Sequence, residues 1–256
     1  MDISFHGRAV IVTAAASGIG AATAEEFALA GAALVLTDIN DPAGEDLAAR
    51  LREDGSDVQY VHADMTRAAD AEALVAKAIS TLGRLDVLVN CVSDGGGDRR
   101  GIQVHEVSEE QWDGTIAGSL KSAFLGMKYA ILHMKDHGGG AIVNITSPGG
   151  MHLEPASTPA CMAANAGAIH LARVAAAQYA RYGIRVNSVA PGLTRTSTVD
   201  GLLSAEQQVE VVRGRLPVGR LAEPADLARS VVWLASDQAA MITGNSVPGD
   251  GGQNPI

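Results

Sequence analysis

Three side chains in the stretch SPGGMHLEPASTPACMAANAG, residues 147 to 167, are of types that carry chemistry. Ser147 stands just after the apolar run GAIVNIT and offers a hydroxyl. Cys161 offers a thiol fourteen residues on, and His152 between them offers an imidazole. A hydroxyl or thiol attacks an electrophilic carbon once a neighbouring base takes its proton. A free thiol ionises near ~8.5, so that chemistry at neutral pH needs a nearby positive charge. Asn165, four residues beyond Cys161, is neutral. The plainer alternative is that Cys161 fills space and His152 belongs to a loop.

A second constellation reads as a phosphate cradle. The segment TAAASGIGAA, residues 13 to 22, places Gly18 and Gly20 where a helix opens, flanked by Ser17 and Ile19. Glycine lets the backbone approach a pyrophosphate, and the helix start supplies free N–H groups and a positive dipole end. Asp38 ends the next apolar run, 18 residues after Gly20. There a carboxylate accepts hydrogen bonds from both ribose hydroxyls and repels a 2′-phosphate, so NAD is preferred over NADP. Asp64 closes the third run, next to Met65, within reach of an adenine edge, and Asn90 closes the fourth. Each feature has an ordinary alternative, a tight turn or a helix cap. Their succession at the ends of consecutive strands favours a dinucleotide pocket.

The elements that must hold these residues alternate along the chain. RAVIVTA, ALVLTD, DVQYVHAD, RLDVLVN, GAIVNITS and GIRVNSVAP read as strands. Helical spacing fills the intervals, with long helices expected over roughly 106–135 and 158–182. Continuous apolar strands between amphipathic helices imply a parallel sheet covered on both faces. Right-handed crossovers then give a doubly wound α/β fold of Rossmann type. No linker divides the 256 residues, so one domain is expected. Residues 194–222 interrupt the rhythm and read as a lid over the site or as a plain surface excursion.

Composition narrows the function classes. The formal charge is −10, from 19 basic and 29 acidic residues. That argues against nucleic acid or an anionic membrane as the main partner. Cys91 and Cys161 belong to no metal-binding pattern. Two cysteines without a leader segment point to the reducing cytoplasm. No apolar run reaches the roughly 18 residues of a membrane helix.

The chain resembles the short-chain dehydrogenase/reductase family, in its classical branch, over almost its whole length. The landmarks are VTAAASGIG, LTD, HADMT, LDVLVN, LKSAFLGMKYA, GAIVNITS, AGAIHLARVAAAQYARYGIRVNSVAPG and GNSVPGDGG. The resemblance implies a seven-stranded Rossmann-type sheet, NAD or NADP binding and commonly a tetramer. It assigns Pro191-Gly192 to the family's Pro-Gly after the sixth strand and Thr196 to a nicotinamide contact. The two long helices and the segment near 244–252 would pack against other subunits.

The pattern fails where the chemistry sits. The first glycine of the family's motif is Ala14, and Ser93 takes the place of a glycine after the fourth strand. Family members use Asn, Ser, Tyr and Lys. A phenol ionises near ~10 and needs positive charge beside it to move a proton at neutral pH. Here the Ser is Ser147, while Ser119, Cys161 and Asn165 stand at the Asn, Tyr and Lys positions. The four tyrosines are followed four residues later by Asp64, His133, Gly183 and Val186, so no Tyr-x-x-x-Lys exists. Losing a positioned acid/base costs about 10²–10⁴ in rate.

Three functions remain. The first is a non-catalytic subunit paired with an active family member in a heterotetramer. Such pairing occurs in the dehydrogenase of 2-[hydroxy(phenyl)methyl]-succinyl-CoA. The second is an oxidoreductase of altered mechanism using Ser147 and Cys161, alone as a homotetramer. The third is a regulatory protein binding a dinucleotide or small metabolite. The segments 92–102, 148–155 and 194–222 would line the substrate pocket. Arg99, Arg100, Arg195 and Arg213 would meet an anionic ligand there, or simply lie solvated.

Overall fold

The computed structural model of the chain describes residues 3–92, 101–154 and 157–254. Ser93, Arg99 and Arg100, weighed above as pocket residues, lie outside the described residues.

Seven parallel strands form one sheet in the order β3-β2-β1-β4-β5-β6-β7. They are β1 (Ala9–Thr13), β2 (Ala33–Asp38), β3 (Val58–His62), β4 (Val87–Asn90), β5 (Gly140–Ile145), β6 (Ile184–Pro191) and β7 (Ser246–Gly249). This is the doubly wound architecture expected from the sequence. The strand order reverses between β1 and β4, which opens a crevice at the carboxyl edge. Asp64 lies two residues past β3 rather than closing it, because the chain turns there before the next helix.

The strands read as continuous apolar runs because both of their faces are buried. Val10, Val12, Leu34, Leu36, Val87, Val89 and Val143 point to one side. They meet Phe27 of α1 (Gly18–Leu29), Leu47 of α2 (Asp41–Glu53), and Leu227 and Val231 of a late helix, Pro224–Ala235. Ile11, Val35, Leu88, Ile142 and Val186 point to the other side. They meet Leu74 and Val75 of α3 (Ala68–Leu82), together with the long helices of the second half.

The segment expected as one long helix over 106–135 is broken in its geometry. α4 (Glu109–Thr115) runs into six residues of π-helix, Ile116–Lys121, and then α5 (Ser122–Met134). The Ser122 N–H reaches back five residues to the Ala117 carbonyl. α6 (Pro159–Tyr179) starts from Thr158, whose hydroxyl accepts the Cys161 N–H at 3.1 Å. Gly167 lets α6 lie close to the π segment, since a Cβ there would meet Leu120 Cδ2 at 3.0 Å.

The 194–222 excursion is folded. It holds α7 (Ser197–Leu202) and α8 (Ala205–Arg215), and a β-bridge between Thr194 and Ala222 closes its base. α9 is the late helix Pro224–Ala235.

A buried polar pair crosses the sheet beneath the crevice. The Asn90 amide donates to Asn144 Oδ1 at 2.8 Å. Gly126 of α5 leaves room for it, because a Cβ there would lie 2.3 Å from Asn90 Oδ1. Replacing Asn90 by Ala orphans the Asn144 oxygen. Asn90→Ala is expected to lower unfolding free energy by about 1–3 kcal/mol in urea titrations, with unchanged far-ultraviolet dichroism.

Candidate functional site

The carboxyl edge of the sheet gathers most of the sequence-predicted residues. On its left side lies the turn from β1 into α1. Ser17 is the N-cap of α1, and its hydroxyl makes no capping bond. The opening N–H groups of a helix have no intrahelical partner, so the first turn faces the crevice with donors to spare. Gly18 sits at φ +56° and lies against the 194–222 excursion, since a Cβ there would meet Thr196 Cγ2 at 3.3 Å. Gly20 is fixed more tightly: a Cβ would fall 2.0 Å from the Ala14 carbonyl oxygen.

Ala14 takes φ +49°, a left-handed conformation, and is the only non-glycine to do so among the described residues. The turn therefore keeps the shape a glycine would give it, at a cost of about 1–2 kcal/mol.

Asp38 ties this turn to the next. One of its oxygens accepts the Ala16 N–H at 2.9 Å, and the other accepts the Asn40 N–H at 3.0 Å. Each carboxylate oxygen has a second lone pair for a ribose hydroxyl. Asp64 accepts both the hydroxyl and the N–H of Thr66, at 2.7 and 2.9 Å. The Thr66 hydroxyl holds its carboxyl below the usual carboxylate range, so it remains an acceptor at neutral pH. Met65 is buried, which leaves only its main chain for a ligand. The Asn90 side chain is committed to Asn144, so it too offers only main chain. Gly192, beside Pro191, packs on Asp250, where a Cβ would lie 2.7 Å from the Asp250 Cα. Thr196 caps α7 through its hydroxyl. The glycine turn, the free Ser17 hydroxyl and the Asp38 carboxylate fit a dinucleotide.

The reaction side is different. The Ser147 hydroxyl accepts the Gly149 N–H at 3.2 Å and keeps its own proton to donate. The family's tyrosine and lysine positions hold a pair closed on itself. The Asn165 amide donates to the Cys161 carbonyl at 2.9 Å and approaches Cys161 Sγ at 3.4 Å. Asn165 is 3% exposed, so no cation stands behind the thiol from that position. Ser119 falls in the π segment, buried, and its hydroxyl has no hydrogen-bond partner. His152 Nε2 is likewise buried without a partner. The site can orient a carbonyl through Ser147. The tyrosine and lysine positions supply neither a phenol nor the cation that tunes one. Arg195 is paired with Glu223 at 2.9 Å.

Sequence reasoning missed Glu154. It accepts from Arg215 of α8 at 2.6 Å and from Gln253 at 2.9 Å, joining the Ser147 loop to α8 and the tail. Nothing in their spacing along the chain signals that meeting.

Two measurements follow. Ala14→Gly is expected to raise stability by about 1 kcal/mol in chemical denaturation, by relieving the left-handed alanine. Burial pushes the Cys91 thiol up to about 12, whereas Cys161 is partly exposed. A disulfide reagent at neutral pH is therefore expected to titrate one thiol in the native protein and two after unfolding.

Comparison with known proteins agrees with this geometry. The family model described as enoyl-(acyl carrier protein) reductase matches residues 13–254. The chain is 39% identical to a cis-4-hydroxycyclohexanecarboxylate dehydrogenase of Sinomonas cyclohexanicum, over 100% of both chains. It is 36% identical to a 2,5-dichloro-2,5-cyclohexadiene-1,4-diol dehydrogenase of Sphingobium indicum, over 98% of each. A solved short-chain dehydrogenase/reductase from Burkholderia xenovorans superposes with a TM-score of 0.91 at 34% identity, covering 97% of each chain. The chain belongs to the short-chain dehydrogenase/reductase family of oxidoreductases, whose members typically bind a nicotinamide dinucleotide.

Proposed function

We propose that this chain is a cytoplasmic, NAD-binding family member with little dehydrogenase activity of its own. It serves as the non-catalytic subunit of a hetero-oligomer with an active relative. One observation carries the reading. The positions that should hold a proton-transferring phenol and its tuning cation hold Cys161 and Asn165, bonded to each other. Ser147 alone polarises a carbonyl but does not supply the proton. The bound dinucleotide would supply or accept hydride, and the chain's own residues would only orient it: Asp38 at the ribose, the α1 first turn at the pyrophosphate. Asp38 favours NAD, because a 2′-phosphate would meet its carboxylate.

The partner surface in this proposal is the face of α5 and α6. Phe124 and Val174 are exposed there, beside Ile116, Leu120 and Leu171. Large apolar side chains left in the open on adjacent helices favour a subunit contact. The same face would serve a homotetramer. The 2-[hydroxy(phenyl)methyl]-succinyl-CoA dehydrogenase is one arrangement of this kind. Among the described residues no helix is long and apolar enough to cross a membrane.

The buried, unpartnered His152 Nε2 favours a second reading, an altered mechanism at Ser147 and Cys161. A dinucleotide-sensing role without turnover would use the same binding half of the site.

The isolated chain is to be assayed with NAD and cyclic hydroxy acids and diols, beside Cys161→Tyr/Asn165→Lys. The double variant is expected to exceed the wild type by about 10²-fold or more. Purification from the native source is expected to bring an intact relative along. Robust turnover by the wild-type homo-oligomer would overturn the proposal. If Cys161→Ser then removed that turnover, the altered mechanism would stand in its place. Calorimetry with NADH and NADPH tests the binding half, with heat expected from NADH.

A further inference from the structure

The lid stands on two feet, one on each side of the crevice. Its first residues reach the dinucleotide side, where Thr196 lies against Gly18. Its last helix reaches the reaction side, where Arg215 donates to Glu154 at 2.6 Å. The base is pinned by the Thr194–Ala222 bridge and by Arg195 on Glu223. Whatever is held between Gly18 and Ser147 therefore lies under the strap.

The strap has little apolar grip of its own. α8 contributes no buried side chain, and Leu216 just beyond it is the nearest that does. Segments with few buried apolar contacts open at low free-energy cost. What holds the far end is polar. Glu154 is 16% exposed at its side chain, so the Arg215 pair is screened less than a surface pair. The same carboxylate accepts from Gln253 at 2.9 Å.

The tail that carries Gln253 is itself built. Asp250 is buried and accepts the Gly252 and Asn254 N–H groups at 3.0 and 2.9 Å. The Val218 N–H donates to the Gly251 carbonyl at 3.2 Å. The Ser147 loop, the end of the lid and the tail thus converge on one carboxylate.

From this convergence we propose that Glu154 is a positioning residue, a latch that keeps the lid shut over the crevice and sets the rate at which a bound dinucleotide leaves. The retention half rests on the dinucleotide-binding reading above; the latch half does not.

The test is hydrogen exchange of the 197–215 backbone amides in the ligand-free chain. Glu154→Ala and Arg215→Ala are each expected to speed that exchange about tenfold. The double variant is expected to go no further than Glu154→Ala, which already removes the Arg215 contact along with the Gln253 one. The reversed pair Glu154→Arg/Arg215→Glu is expected to restore slow exchange, which a general loss of packing would not do. Slow exchange of the sheet amides confirms that each variant is folded. Unchanged lid exchange in both single variants would overturn the latch.

Stopped-flow displacement of NADH, read by fluorescence, supplies the second arm. Release is expected to be several-fold faster from Glu154→Ala. Faster lid exchange with unchanged NADH release would overturn the retention role alone. A wild type that binds no NADH would overturn dinucleotide binding and retention together, with the exchange result still deciding the latch.

Discussion

The turn from β1 into α1 closes only because Gly20 carries no side chain, with the Ala14 carbonyl oxygen filling the space a Cβ would take. That contact sets how near α1 comes to the sheet. It also sets where Ala16 presents its N–H to Asp38, and so how the second strand's carboxylate addresses the crevice. Thr196 comes down on Gly18 of the same turn. The glycine turn, the Asp38 carboxylate and the start of the 194–222 excursion are one packed unit. Ala14 holds its left-handed conformation within that unit.

The two halves of the crevice differ in how they have been kept. The binding half retains its donors and acceptors in usable positions. The reaction half has Ser147 on its loop and α6 against the π segment, and carries a thiol and a neutral amide at the tyrosine and lysine positions. Asn165 satisfies itself on the Cys161 carbonyl, which is why an amide is tolerated at 3% exposure where a buried cation would need a partner. The Ser119 hydroxyl has found no such partner.

Much of this was legible in the chain. Runs such as AVIVT and ALVLTD had to be strands buried on both faces, and the excursion at 194–222 closes at those residues. The missing Tyr-x-x-x-Lys could be read from residue identities alone. Less legible were features that depend on what lies opposite. Asn90 reads as a ligand contact by position, yet its amide turns into the sheet toward Asn144, 54 residues away. Glu154 and Arg215 meet across 61 residues, with no local pattern to announce the meeting. The π segment has the composition of an ordinary helix, and its wider hydrogen bonding, Ser122 N–H to the Ala117 carbonyl, shows only in the structure.

That π segment has a consequence for helical phase. An α-helix turns about 100° per residue, and a π turn absorbs one residue more than an α turn. Six residues at Ile116–Lys121 therefore act as a phase shifter between α4 and α5. Downstream of it, Gly126 meets Asn90, and Met127 comes within 3.6 Å of the Asn144 amide. Winding the same six residues as plain α-helix, with none removed, would rotate the face that α5 presents to the sheet by about 100°. A bulky side chain would then arrive where Asn90 needs bare backbone, so the floor of the crevice is tuned by how that chain is wound.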